Sequence, residues 1–303
     1  MIRQLIVNAD DLGLTVGVND GIFDAHDSGI LTSASLFASA GATADAIRRL
    51  RHRPSLGVGA HLALVDGAPT LPADAVPTLV TGDGRFRRGW RPFIAACLLG
   101  RVSLDEVERE LSAQIERLRP HVDLTHLDVH KHVHAYPPVF AIVARLARRY
   151  AIPVVRVPYE QLSGAAVFGR DSEAPPTARQ QARLNALLWP WSRQNYRVAG
   201  RLGLRTPALV GLVDTGILNR RVLRRLLRGL RPGVTELMVH PGYVDAALLR
   251  LTTRLVESRL AEVALLSSPE TEALVAGERI DLVRHDLALS IAPSRRRSLR
   301  HAS

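Results

Sequence analysis

The stretch HLDVHKHVHAYPP, residues 126–138, places His126, Asp128, His130, His132 and His134 at strict i, i+2 spacing. On a β-strand alternate side chains share a face, so one face would carry four imidazoles and a carboxylate. Such a set can hold a metal, move protons or decorate a loop. Same-face neighbours lie about 6.6 Å apart along a strand, whereas a zinc–histidine bond is about 2.1 Å. One ion therefore reaches one or two adjacent members, never all five. Pro137 and Pro138 would end the strand and leave His132 and His134 near its rim. Asp128 is placed to orient His130 or another ligand from behind. One Asp and two His around an ion with open positions would suit hydrolysis, since the ion activates water and polarises a carbonyl.

Three further clusters stand at the C-terminal ends of apolar runs: Asn8 with Asp10 and Asp11, then His61, then Glu236 with His240. In a (β/α) barrel those strand ends converge on one face, where active sites are built. Adjacent Asp10 and Asp11 would point opposite ways on an ideal strand, but a turn can bring both inward. Two carboxylates that close repel unless a cation is present or one is protonated, which suggests one metal ligand and one base. A capping turn for the next helix is the alternative. His240, before Pro241 and Gly242, is a candidate general acid. Arg156 in VVRVPYE could pair with Asp10 and keep it ionised.

The elements that must position these groups alternate along the chain. Strand-like runs RQLIVNADDLG, LTSASLFAS, SLGVGAHLAL, LTHLDVHKHVH, PVVRVPY, ALVGLVDTG and VTELMVHPGY are separated by helical patterns. The clearest helix is SLDEVERELSAQIERLRP, with Ser103 as N-cap and Glu106 three residues on. This rhythm predicts an α/β fold of parallel strands with crossover helices. One domain is expected over 1–288, with a helical insertion at about 161–206 interrupted at Pro190. A basic tail, 289–303, reads as disordered.

The 303 residues are 47% apolar, enough for a large core. No apolar run is long enough for a transmembrane helix, and MIRQLIVNADDLG enters a strand with no signal-peptide pattern. The single cysteine, Cys97, excludes an internal disulfide and a Cys-based zinc cluster, and fits a reducing, cytoplasmic setting. The net charge of +11 is carried by arginine, with Lys131 the one lysine. No aromatic stacking platform accompanies it, which argues against nucleic acid as a partner.

IVNADDLG, GVGAHLALVDG, HLDVHKHVHAYPPV and VHPGY, in this order, resemble the YdjC-like family of carbohydrate deacetylases over most of residues 3–288. LVDGAPTLP, VDLTHLDVHKHVHAYP, VRVPYE and GLVDTG look like its hopanoid-biosynthesis (HpnK-like) branch. The resemblance implies a distorted (β/α) barrel, TIM-barrel-like and of glycoside hydrolase/deacetylase type. It implies one divalent ion, Zn²⁺ or Mg²⁺, on Asp11, His61 and His130, with Asp10 as general base and His240 as general acid. Asp128, His132, His134, Arg156 and Glu236 would then line or support the cleft. Leu12 stands where the family often has Phe, a change that leaves ligation untouched. The substrate implied is an acetylated amino sugar, either lipid-linked on a hopanoid or a chito-oligosaccharide. Competing readings are another metal-dependent hydrolase on the same barrel, a glycosidase, or a silent glycolipid-binding protein. Asp10 and Asp11 are too close to flank a glycosidic bond.

The insertion mixes Leu187, Leu188, Trp189, Trp191 and Tyr196 with Arg193 and Arg197. Interfacial aromatics beside basic residues are what a surface-lying membrane helix uses. The expectation is peripheral contact with the inner membrane surface, the alternative being packing on the barrel or across a homodimer interface.

Overall fold

A computed structural model describes residues 2–160 and 176–288. The first part of the insertion and the tail at 289–303 lie outside the described residues. Eight strands make one sheet in the order β5-β4-β3-β2-β1-β7-β6, with β8 beside β1. These are β1 (Arg3–Leu12), β2 (Ser33–Leu36), β3 (Gly57–Leu62), β4 (Leu124–Val129), β5 (Val154–Val155), β6 (Ala208–Val210), β7 (Gly233–Val239) and β8 (Asp281–Leu282). All these strand pairings are parallel. The two edges meet: Val154 bridges Arg205, and Glu160 bridges Leu209. The sheet is thus curled onto itself, in the manner of a distorted barrel. Every residue of β1 but Arg3 is buried, as expected of a parallel strand covered on both sides.

Helices pack outside. Helix α1 (Val16–Asp27) starts at Thr15, whose hydroxyl accepts from Val18 N. It lies tight against the loop after β7, because a Cβ on Gly21 would stand 2.5 Å from the Gly242 backbone. Helix α2 (Thr43–Leu50) follows β2, and α3 (Trp90–Leu98) follows the long loop after β3. Helix α4 (Leu104–Leu118) has Ser103 as its N-cap. The Glu106 side chain does not return to the cap. It accepts from Thr78 N, while Glu110 accepts from Thr70 N and Leu71 N. These buried carboxylates pin the loop that follows β3.

The strand expected over LTHLDVHKHVH is shorter than its pattern. β4 ends at Val129, and residues 130–135 form a 3-10 turn in which Lys131 (φ 50°) and His132 (φ 56°) are left-handed. Two such residues in succession destroy the period of two. Pro137 and Pro138 do not end a strand; they open helix α5 (Pro137–Arg149), where their missing N–H groups cost nothing. In the insertion, α6 (Pro176–Leu187) and α7 (Trp189–Arg201) break at Leu188, and Pro190 stands in the first turn of α7. The basic pattern near 219–231 is α8 (Arg220–Arg228). Short α9 (Ala246–Leu249) and α10 (Glu257–Leu266) precede α11 (Pro269–Gly277).

Candidate metal centre and cleft

Asp10 and Asp11 leave β1 on different errands because Asp11 is left-handed, at φ 73°. Asp is among the residues that tolerate this region. The turn brings Asp11 Oδ1 to 3.5 Å from His61 Nε2 and 3.4 Å from His130 Nδ1, and those two nitrogens are 3.2 Å apart. Three ligand atoms about 2.05 Å from one ion in tetrahedral arrangement would be about 3.3 Å apart. The fit is close before any ion is placed. Phe37 packs edge-on against both imidazoles, with ring centres at 4.6 and 5.2 Å.

The remaining face of each ligand is held. His61 Nδ1 donates to Asp128 Oδ1 at 2.7 Å, which fixes the tautomer and leaves Nε2 free for a metal. Asp11 Oδ2 takes Arg259 Nη2 at 2.5 Å. His130 Nε2 faces Asp66 Oδ2 at 3.8 Å, and Lys131 Nζ reaches the same oxygen at 2.7 Å. Asp128 therefore backs His61, not His130.

Below this lies a buried polar network. Arg156 Nη1 and Nη2 donate to the two oxygens of Asp10, each at 2.7 Å, and Nη2 also reaches Asp128 at 2.9 Å and Glu236 at 2.5 Å. Asn8 Nδ2 donates to Asp10 Oδ1 and Ser35 Oγ, and Ser35 Oγ donates to Asp128 Oδ2 at 2.6 Å. Asp10, Asp11, Asp128 and Glu236 face only Arg156 and Arg259 as fixed buried cations in this network. With neutral imidazoles two negative charges are left over, the charge of one divalent cation.

The titration of these groups follows from that imbalance. Burial alone would raise the Asp10 and Asp11 carboxyls, but Arg156 beside the first and Arg259 beside the second hold both below the usual range. Burial would lower His61, yet Asp128 and Asp11 push it up to about 10. His240 is pulled down to about 4 by burial, against the opposing carboxylates Asp10 and Asp11. Its backbone N–H donates to Glu262 Oε2 at 2.5 Å, and burial pushes the Glu262 carboxyl up to about 7.

A cleft of about 660 Å³ opens above the site. Asp10, Asp11, His61, His130, His132 and His240 all line it, and its walls are largely apolar. Trp90 and Ile94 of α3 form one wall; Leu184, Leu187, Leu188 and Trp191 form another. Six of the site residues singled out in the sequence, from Asp10 to His240, thus share one cavity, and Trp191 of the insertion stands on its wall. The others scatter. Glu236 lies in mid-strand rather than at a strand end and bonds Arg156 inside the barrel. His134 is fully buried and its Nε2 meets the Arg156 carbonyl. His126 is also inside, bonded to Thr125 and Ser35 hydroxyls. A Cβ on Gly59 would come within 2.4 Å of its ring. Trp189 is half-exposed under Arg193, while Trp191 packs on Tyr136; Arg193 and Arg197 point to solvent.

Arg259, Ser35, Asp66 and Glu262 escaped the sequence reading. Arg259 is one arginine among many, and nothing in its helical context sets it apart.

A family model described as YdjC-like protein matches residues 4–277. A carbohydrate deacetylase of Brevibacillus brevis is 34% identical over 281 residues, covering 92% of this chain and 97% of the relative. A chitooligosaccharide deacetylase of Serratia marcescens is 29% identical, covering 91% and 95%. A solved structure from Enterococcus faecalis V583, provisionally assigned to cellobiose-phosphate cleavage, superposes with a TM-score of 0.73 at 25% identity. That match covers 95% of this chain and all of the other.

Proposed function

We propose that this chain, which belongs to the YdjC-like family, is a metal-dependent hydrolase that removes acetyl from an N-acetylglucosamine unit. The observation that carries the reading is the Asp11–His61–His130 triangle at the floor of a cleft, backed by Asp128 and set in a network that carries two uncompensated negative charges when its imidazoles are neutral. The relatives named carbohydrate deacetylases, matched over nearly their whole length, support the class of reaction. The fold is read as a TIM-barrel-like (β/α) barrel of the deacetylase type.

A divalent ion on that triangle would polarise the acetamide carbonyl, acidify a water and neutralise the developing oxyanion. The chain's own groups do the rest. Asp10, kept ionised by Arg156, accepts the water proton. His240, held neutral by burial, takes up a proton during the cycle and delivers it to the leaving amine. His132 lines the same cleft and contacts the sugar. The products are acetate and a glucosamine unit. Ligand spacings of 3.2–3.5 Å suit tetrahedral zinc better than octahedral magnesium, whose neighbouring ligands would stand about 3.0 Å apart.

The substrate is read as lipid-linked, the sugar head of a hopanoid. Support comes from the apolar walls around a polar floor, with exposed Leu187 among them, and from half-exposed Trp189 next along the chain to the cleft-lining Leu188. With Arg193 and Arg197 nearby, this lip would rest on an anionic membrane surface. Among the described residues no helix is long and apolar enough to cross a membrane. The second reading is a free chito-oligosaccharide, as the Serratia marcescens relative's name states for that protein. Acetate release from an N-acetylglucosaminyl hopanoid and from di-N-acetylchitobiose separates the two. A higher kcat/KM for the lipid supports the first; preference for the chitobiose replaces it with the second; release from neither withdraws the deacetylase reading.

A further inference from the structure

After β8, residues 283–288 turn under the barrel and close its lower end. Val283 N donates to Leu5 O, Arg284 Nη1 to Pro54 O, and Arg205 Nη1 to Ala288 O. This segment sends one side chain upward. His285 is 1% exposed and stacks on His126 with ring centres 3.6 Å apart and planes 19° apart. Its Nε2 faces Glu236 Oε2 at 3.4 Å, a charge contact longer than the bonds Arg156 makes. The other oxygen, Glu236 Oε1, accepts from Arg156 Nε at 2.7 Å. Arg156 then grips Asp10 and touches Asp128, which backs His61.

We propose that His285 is a positioning residue: through Glu236 it sets the pose of the Arg156 guanidinium, and through Arg156 the poses of Asp10 and Asp128. The contact series runs unbroken from the barrel's closed end to the cleft floor. Glu236, like Asp128, is a carboxylate on Arg156 that does not line the cleft, and His285 is the polar group facing its second oxygen. An imidazole costs free energy to bury, and an apolar ring would stack on His126 as well. Packing alone therefore does not call for histidine here. The catalytic half of the inference rests on the reading of Asp10 as base; the positional half does not.

Two variants separate positioning from packing. His285→Phe keeps an aromatic ring on His126 but offers Glu236 nothing. His285→Gln loses the ring but restores an N–H donor. Both are compared with wild type in the zinc-loaded full chain, by di-N-acetylchitobiose turnover and by the ¹H–¹⁵N signal of the Arg156 Nε–H. The expected result is a fall in kcat of about tenfold or more for His285→Phe with KM unchanged, as removal of outer-shell partners gives. The Arg156 signal should be displaced, and His285→Gln should recover most of both. A wild-type-like His285→Phe with a damaged His285→Gln would make the residue a packing element and overturn the inference. Should the wild type itself release no acetate, the deacetylase reading fails, and the Arg156 signal alone decides: unmoved in folded His285→Phe, it ends the proposal.

Discussion

Arg156 and Asp10 form a two-point clamp, Nη1 to Oδ2 and Nη2 to Oδ1, each 2.7 Å long and each buried. The same guanidinium touches Asp128 and Glu236. One cation thus ties the proposed base to the carboxylate that orients His61. Lysine offers a point charge with no fork and could not hold all three.

Arg156→Met should leave three carboxylates buried without their cation. The expected cost is about 3–5 kcal/mol of stability, measured by urea unfolding at pH 7. In the wild type Asp10 and Asp11 are held low, so their contribution is present above about pH 4 and is lost as pH falls through the depressed folded values. In the variant the unclamped carboxylates take up protons more easily, so its deficit should shrink as pH is lowered from 7 to 5. A deficit independent of pH would show that the clamp acts by packing rather than charge.

Glu160 and Asp214 predict an alkaline effect of opposite sign. Burial pushes Glu160 up to about 8 and Asp214 up to about 6. An acid whose folded value is raised gives stability that is complete below its unfolded value and lost as pH rises through the folded one. Stability should therefore decline between about pH 5 and 8. Glu160→Gln removes the larger part of that decline. Its melting temperature should exceed wild type by a few degrees at pH 8.5 and match it at pH 5; equal curves at both would place the charge of Glu160 in solvent contact.

Much of the site could be read from the chain, because its chemistry sits in dense local motifs. Asp10 with Asp11, His61, His130 and His240 each close an apolar run, and parallel strands deliver such ends to one rim. What failed was the even spacing of the histidines. Lys131 and His132 adopt left-handed backbone that no periodicity encodes, so His134 turns into the core, while His126 keeps the strand's inner face beside Asp128. Glu236 was expected at a rim and stands in mid-strand, one residue in the register of β7 with Ile6 of β1. Arg259 and His285 were invisible, since each meets its partner across more than two hundred residues or through a short terminal segment without a pattern of its own.

Gly59 gives a packing prediction. His126 occupies the space a Cβ would need, at 2.4 Å. Gly59→Ala should displace that ring and with it the contacts to Ser35 and His285, costing about 1–3 kcal/mol or more. Thermal unfolding checks this, and a neutral effect would mean the interior is looser than its distances show.

The cleft walls give a specificity prediction. Replacing Leu184 and Leu188 by Ser removes apolar surface without touching the metal triangle. KM for a lipid-linked substrate should rise about tenfold, the equivalent of about 1.4 kcal/mol of lost burial, while di-N-acetylchitobiose is turned over as before. Co-sedimentation with anionic liposomes should weaken in Trp189→Ala. Equal losses on both substrates would assign the walls to the sugar instead.

The most direct test of the metal-dependent deacetylase is acetate release by zinc-loaded protein, by protein stripped with chelator, and by His130→Ala, with bound zinc counted in each sample. The account predicts one zinc per chain and steady release in the first, neither in the second until zinc is returned, and neither in folded His130→Ala even with zinc in excess. Release that persists in the stripped protein or in His130→Ala would contradict a catalytic ion on Asp11, His61 and His130.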